Sequence, residues 1–191
     1  MQEIIDFILE LEKLKGVTRK VRPLGLNRYE NSAEHSWQLA MLAFSLAPYG
    51  EPSLDMNRVM RMLLVHDIGE IDTGDTMVFT EGGWEERKLA ERAAVTRIFG
   101  MLPDQGASFL ELWHEFDREE TPEARFAHAV DRAMPVLLNL ANNGQSWREN
   151  GISHERVVSR IAAPIKAGCP ALWSYLEVRL EEARGKGMFG A

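Results

Sequence analysis

Apolar residues recur at three- and four-residue spacing along nearly the whole chain, which is the period of an amphipathic helix. Near the start, Ile4, Ile5, Ile8, Leu11 and Leu14 trace one such stripe, and it stops at Gly16. Residues 17–31 break the pattern with Thr18, Pro23, Gly25 and Asn27 and read as a loop. Asn31 or Ser32 then offers a cap for a helix running to about Ala47, closed by Pro48 and Gly50. A third helix is predicted over about residues 56–68, with Val59, Met62, Leu63 and Val65 as its buried positions. A polar stretch from Gly69 to Gly83 precedes helices over about residues 85–99 and 105–116. Thr121-Pro122-Glu123 supplies a cap, a proline at the first helical position and an acid near the positive end of the helix dipole. The helix it opens runs to about Asn142. Pro135 lies inside it and gives no N–H to the Asp131 carbonyl, so a kink or bulge is expected. Helices over about residues 154–167 and 170–184 follow, and the tail from Gly185 reads as frayed. Strand signals are nearly absent. The fold class is all-α: one domain over residues 1–191, a helical bundle.

Composition narrows the functional classes. The chain has 191 residues, 45% of them apolar, enough for a real core and incompatible with disorder as the main state. Lys plus Arg is 22 against 29 Asp plus Glu, a net charge of −7. An acidic surface argues against a protein that wraps a nucleic-acid polymer, whose affinity comes from basic side chains on phosphates. A small phosphate ligand held by one local Arg stays compatible. The single cysteine, Cys169, excludes an intramolecular disulfide and a Cys-rich zinc module. Acids interrupt the first apolar run, unlike a signal peptide. The uncharged stretches 36–50 and 133–147 are broken by Pro48 and Pro135 and fall short of the ~18 apolar residues of a spanning helix. A cytoplasmic protein with no membrane partner is expected.

Two of the five histidines stand in suggestive company. His35 follows Glu34 in the first turn of a predicted helix. His66 precedes Asp67 at the end of the apolar run Leu63-Leu64-Val65. A buried imidazole and carboxylate must be compensated, and a divalent cation compensates both. The simpler alternative is an ordinary hydrogen-bonded pair. Glu70 shares their side if the helix continues one more turn. Asp131 is a carboxylate within an otherwise apolar stretch just ahead of Pro135. Its alternative is a salt bridge to Arg132 or Arg125. Ligands on separate helices are what a bundle needs to converge on one ion in its core. His128 reads as a packed or surface residue, and His154 as part of a helix start. His114, Glu115 and Asp117 read as a solvated face, and the five scattered tryptophans as core or interface. The basic residues Arg19, Lys20, Arg22 and Arg28 of the 17–31 loop read as a phosphate funnel, being close in sequence to His35.

These residues resemble a known family. His35, His66-Asp67 and Asp131 match the H…HD…D pattern of the HD-domain metal-dependent phosphohydrolases. The blocks Glu30-Asn31-Ser32-Ala33-Glu34-His35-Ser36, His66-Asp67-Ile68-Gly69-Glu70, Thr73-Gly74-Asp75 and Glu120-Thr121-Pro122-Glu123-Ala124-Arg125-Phe126 resemble its 5′-deoxynucleotidase branch, in order, over about residues 4–145. The resemblance implies one divalent metal ion (Co, Mn, Mg, Zn or Fe) on His35, His66, Asp67 and Asp131. It implies Glu70 and Asp75 as catalytic carboxylates, Arg19 as the phosphate contact, a small nucleotide as substrate and a homodimer. It also departs from the branch: Lys20 stands where relatives carry Trp, and the loop is about one residue longer. The implied reaction is hydrolysis of deoxynucleoside 5′-monophosphates to deoxynucleoside and phosphate. The alternatives are an HD-type phosphodiesterase, a hydrolase of another phosphorylated metabolite, and a regulatory module that holds the metal without catalysis. The helices over about residues 153–184 are expected to lid the site or form an oligomer contact.

Overall fold

The computed structural model describes residues 1–190. Its α-helices are α1 (Gln2–Leu11), α2 (Ser32–Leu46), α3 (Met56–Val65), α4 (Glu70–Thr73), α5 (Trp84–Phe99), α6 (Gly106–Arg118), α7 (Pro122–Ala141), α8 (Gln145–Glu149), α9 (His154–Gly168) and α10 (Pro170–Gly185). Among the described residues there is no strand, only an isolated antiparallel bridge between Thr18 and Asn31. None of the helices is long and apolar enough to cross a membrane.

The bundle is organised around α7. Its residues Ala127, Ala129, Val130 and Ala133 are wholly inaccessible, because α9, α3, α6 and α2 pack around it. A helix apolar on nearly every face belongs inside a core, and its small alanines let neighbours approach. Thr121 caps it as expected, its Oγ1 accepting from the Ala124 amide at 3.1 Å. The helix runs through Pro135 without a break to Ala141. The predicted stripe of the first helix is corrected at its start, although Leu14 is buried and Leu11 packs on the core. Ile4, Ile5 and Ile8 are exposed, and Phe7 is the buried residue, stacked 6.0 Å from Phe109 of α6.

Three further corrections bear on the site. The helix predicted over 56–68 ends at Val65, and one turn separates it from the short α4, so Glu70 opens a new helical turn inside the supposed polar stretch. The short α8 has no counterpart in the sequence reading. The tail is docked: the Gly190 amide donates to the Ile152 carbonyl at 2.9 Å, and Phe189 stacks on Trp147.

Candidate metal centre

Four elements deliver the polar residues of the core. Asn31 starts α2 with a capping box, its side chain accepting from the Glu34 amide while Glu34 accepts from the Asn31 amide. That cap fixes the first turn, and the turn aims His35, wholly buried, inward. His66 and Asp67 stand at the end of α3, and Asp131 lies midway along α7. The 17–31 loop brings Arg19. Its neck is stitched by Arg19 N–H to Glu30 O at 2.9 Å, Glu30 N–H to Val21 O at 2.9 Å and Ser32 N–H to Val17 O at 3.0 Å.

The donors converge. His35, His66 and Asp131 each offer one atom within 4.8 Å of the others. His35 Nε2 is 3.0 Å from Asp131 Oδ1, and His66 Nε2 is 3.8 Å from the same oxygen. Asp67 lies beside this trio, with Oδ1 3.0 Å from His66 Nε2 and Oδ2 accepting from Arg19 Nη1 at 2.9 Å. Asp131 therefore pairs with His35 and not with Arg132 or Arg125, the alternative its sequence context offered.

The chemistry of the set fits a cation. A carbonyl only accepts, so His66 Nδ1 must donate to Leu63 O, at 2.9 Å. In the neutral ring Nε2 then holds its lone pair toward the carboxylates, and it is a buried nitrogen with no hydrogen-bond partner among the described residues. A buried, unpartnered imidazole nitrogen between two carboxylates is the mixed nitrogen–oxygen donor set that suits a divalent first-row metal.

Charge is arranged around this point. Burial works against charge on His66, and Asp67 and Asp131 overcome it, raising its pKa. Burial likewise opposes ionisation of Asp67 and Asp131, yet both are held low, Asp67 chiefly by His66 and Arg19, Asp131 by the His35 bond and Arg132. Glu70 goes the other way. Burial and the nearby Asp67 push it up to about 9, although Ser32 Oγ donates to its Oε2 at 2.6 Å. Burial raises Asp75 as well, against the pull of Arg19, whose Nη1 is 3.4 Å from Asp75 Oδ1. Two of the carboxylates are thus held low and two are pushed up.

One participant escaped the sequence reading. Glu30 is 1% exposed, with Oε2 3.5 Å from His35 Nδ1 and 3.6 Å from Arg19 Nε. A carboxylate behind a histidine orients the ring and raises its basicity. Its sequence signal is its place at the head of the Glu30–Ser36 block, five residues before His35. The expected phosphate funnel is also narrower than predicted. Arg19 pairs with Asp67 and Asp75 and Lys20 lines the cavity beside it, while Arg22 pairs with Glu149 and Arg28 forks onto Glu34. Glu115 is no solvated residue but a buried partner of Arg58.

Two cavities meet at the donors, and Arg19, Asp75, Asp131 and Arg132 line both. One is largely polar and reaches His66, Glu70 and Lys88. The other is apolar, walled by Val21, Met77, Phe79, Pro135, Trp147 and Ile161.

A helical bundle that gathers histidines and carboxylates from separate elements onto one buried point beside two adjoining cavities defines a metal-site protein of the hydrolytic type. The chain belongs to the HD domain family, whose sequence profile matches residues 11–173. The 5′-deoxynucleotidase HDDC2 of Xenopus laevis is 27% identical over 139 residues, 70% of this chain and 68% of its own. A 5′-deoxynucleotidase of Klebsiella pneumoniae is 29% identical over 170 residues, covering 82% of this chain and 84% of that one. The crystal structure of a predicted metal-dependent phosphohydrolase from Magnetospirillum magnetotacticum superposes with a TM-score of 0.93 at 39% identity, covering 100% of this chain and 95% of that one.

Proposed function

We propose that the protein is a metal-dependent phosphomonoesterase that converts deoxynucleoside 5′-monophosphates to deoxynucleosides and phosphate. The observation that carries this reading is the junction of the donors with Arg19 between a polar and an apolar cavity. An ester with a charged end and an apolar body has a place for each. The similarity to 5′-deoxynucleotidases over most of the chain supports the substrate class.

His35, His66, Asp67 and Asp131 hold the ion in this reading. When bound, the divalent cation supplies positive charge to the phosphoryl oxygens and acidity to a water. Arg19 contacts the phosphate and orders Asp67 and Asp75 around it. Glu70, whose pKa burial and Asp67 push up to about 9, lines the same cavity as Asp67 and is the proton donor in this reading. It gives that proton to the ester oxygen as the phosphorus–oxygen bond breaks, which spares the departing group its charge. Asp75, beside Arg19, orients the attacking water. Glu30 keeps His35 in place. The protein acts in the cytoplasm as a homodimer. The exposed apolar residues Trp37, Met41 and Phe44 along α2, and Tyr175 and Val178 on α10, support a self-association surface.

The test is phosphate release from chelator-stripped protein resupplied with Mn²⁺, Co²⁺, Mg²⁺ or Zn²⁺. Deoxynucleoside monophosphates, ribonucleoside monophosphates, sugar phosphates and a phosphodiester form the panel. The expected result is metal-dependent turnover of the deoxynucleotides above the rest. Preference for the diester or a sugar phosphate, or turnover untouched by the chelator, overturns the reading.

A further inference from the structure

The apolar cavity has an outer wall that the chemistry above leaves without a role. Trp147, 2% exposed, forms part of it. The backbone of Trp147 is held by the helix that carries Asp131: Asn139 Oδ1 accepts from the Ser146 amide at 3.1 Å and the Trp147 amide at 3.3 Å. Asn139 lies eight residues after Asp131 on α7, about two turns away. The indole itself is held by a remote piece of chain. Residues 186–190 turn back from α10, with the Met188 amide donating to Ala183 O at 3.1 Å and the Gly190 amide to Ile152 O at 2.9 Å. This lays the Phe189 ring on Trp147 with centroids 4.5 Å apart and planes 13° apart. His154 meets the same Phe189 ring edge-on at 5.1 Å.

The fit is close enough to dictate residue type. A Cβ on Gly144, whose φ is +71°, would sit 1.8 Å from the Met188 carbonyl oxygen. A Cβ on Gly190 would sit 2.6 Å from the Gly151 Cα. Only glycine lets these segments press together. The returning segment is therefore built against the α8 region, with Phe189 as the one large side chain it delivers to Trp147.

We propose that residues 186–190 form a strap that sets the indole of Trp147 as a wall for the base of the substrate, with Phe189 as the positioning residue. The strap thereby governs affinity for phosphomonoesters that carry an aromatic base, and leaves the phosphate chemistry alone. This rests on the phosphomonoesterase reading above. The aromatic partners of Phe189 are Trp147 and His154, neither of them a donor, so its effect belongs in substrate affinity and not in turnover.

The test compares Phe189→Ala and Phe189→Tyr with the parent on dAMP and on 2-deoxyribose 5-phosphate, which lacks the base. Freeing an aromatic side chain that must be re-immobilised on binding costs about three- to tenfold in affinity. The expected result for Phe189→Ala is a rise of that size in KM for dAMP, with kcat unchanged and the KM for 2-deoxyribose 5-phosphate unmoved. Phe189→Tyr, which restores the stack, returns the parent KM. Equal KM changes on both esters, or a fall in kcat, make the strap merely structural and overturn the proposal. A second measurement keeps the two readings separate. With 5-fluorotryptophan incorporated and the Trp147 resonance assigned by Trp147→Phe, dAMP should shift that fluorine signal in the parent and shift it less in Phe189→Leu. No shift in the parent overturns the strap. A shift without turnover of either ester overturns the phosphomonoesterase reading and leaves the strap standing.

Discussion

Phe116 of α6 is flanked by two histidines that differ in almost everything except burial. His66 leans against it with centroids 4.9 Å apart, and His128 stacks on it at 3.9 Å. Their exposures are 8% and 5%. On the His66 side stand Asp67 and Asp131, and they raise the imidazole pKa against the cost of burial. On the His128 side Nε2 donates to the Phe116 carbonyl at 2.8 Å, and Glu119 approaches Nδ1 only to 3.5 Å from a partly solvated position. Burial prevails there, and the pKa falls. The difference teaches that a buried histidine becomes a cation donor through the carboxylates it faces. With only a partly solvated Glu119 near its Nδ1, His128 is an aromatic packing residue with one hydrogen bond.

The comparison breaks most visibly through Asp131, which serves both donor histidines. Asp131→Ala should cost more than the about 10–100-fold in metal affinity that changes behind a ligand cause. Metal content after dialysis should drop and phosphate release with it. His128→Leu should keep full metal content, and a loss there would erase the distinction between the two sides. The next effect lies in turnover. Glu70→Gln cannot release a proton to the departing oxygen, so kcat should fall by about 10²–10⁴-fold with metal content unchanged. Activity within twofold of the parent would leave the proton-donating role to Asp75. A smaller change is expected from Arg19→Lys. It keeps a charge near Asp67 but loses the fork that spans Glu30, Asp67 and Asp75. The KM for a nucleoside monophosphate should rise about tenfold, the worth of one charged hydrogen bond. An unchanged KM would remove Arg19 from the phosphate.

The smallest effect is one of pH and sits on the His128 side. Its folded-state pKa lies below the ordinary histidine value of about 6.5, so below about pH 6.5 the unfolded chain binds more protons at this residue. Its contribution to stability is therefore present above that pH and is lost as pH falls through the folded-state value. His128→Leu should make the acid-side decline in Tm shallower than the parent's. A difference of a few degrees is the scale, since 1 kcal/mol moves Tm by about 2–4 °C in a domain of this size. Parallel declines would show that His128 gains a proton without penalty and is more hydrated than its packing implies.

The donor side was legible in the sequence because it violates a pattern. His66-Asp67 follows Leu63-Leu64-Val65, and Asp131 follows Ala129-Val130, so polar groups stand where period and composition demand apolar ones. Capping residues exposed the helix starts equally well, as Asn31 and Thr121 show. The rest depended on distant partners. Glu30 breaks no periodicity, because it sits in a loop, and only the folded chain puts it behind His35. Arg22 and Arg28 carry the same charge as Arg19, but Glu149 and Glu34 claim them. The stripe Ile4, Ile5 and Ile8 is as regular as any in the chain, yet Phe109 selects Phe7. The tail Gly185-Lys186-Gly187-Met188-Phe189 has the composition of a frayed end, and its order comes from Trp147, about forty residues earlier.

The stitched neck of the 17–31 loop has a consequence for how such a protein can change over generations. Three backbone hydrogen bonds, at Val17, Arg19 and Val21, close the loop around Arg19, and Ser32 resumes regular structure directly after it. Leu24, Gly25, Leu26, Asn27 and Arg28 hang outside this closure in solvent. Adding residues to an already closed loop costs little, because closure entropy grows only with the logarithm of length. The tip can therefore lengthen, shorten or acquire new side chains while Arg19 and Glu30 keep their distances to Asp67 and His35. A fold hinged this way can exchange what it recognises at its rim without renegotiating the chemistry at its centre.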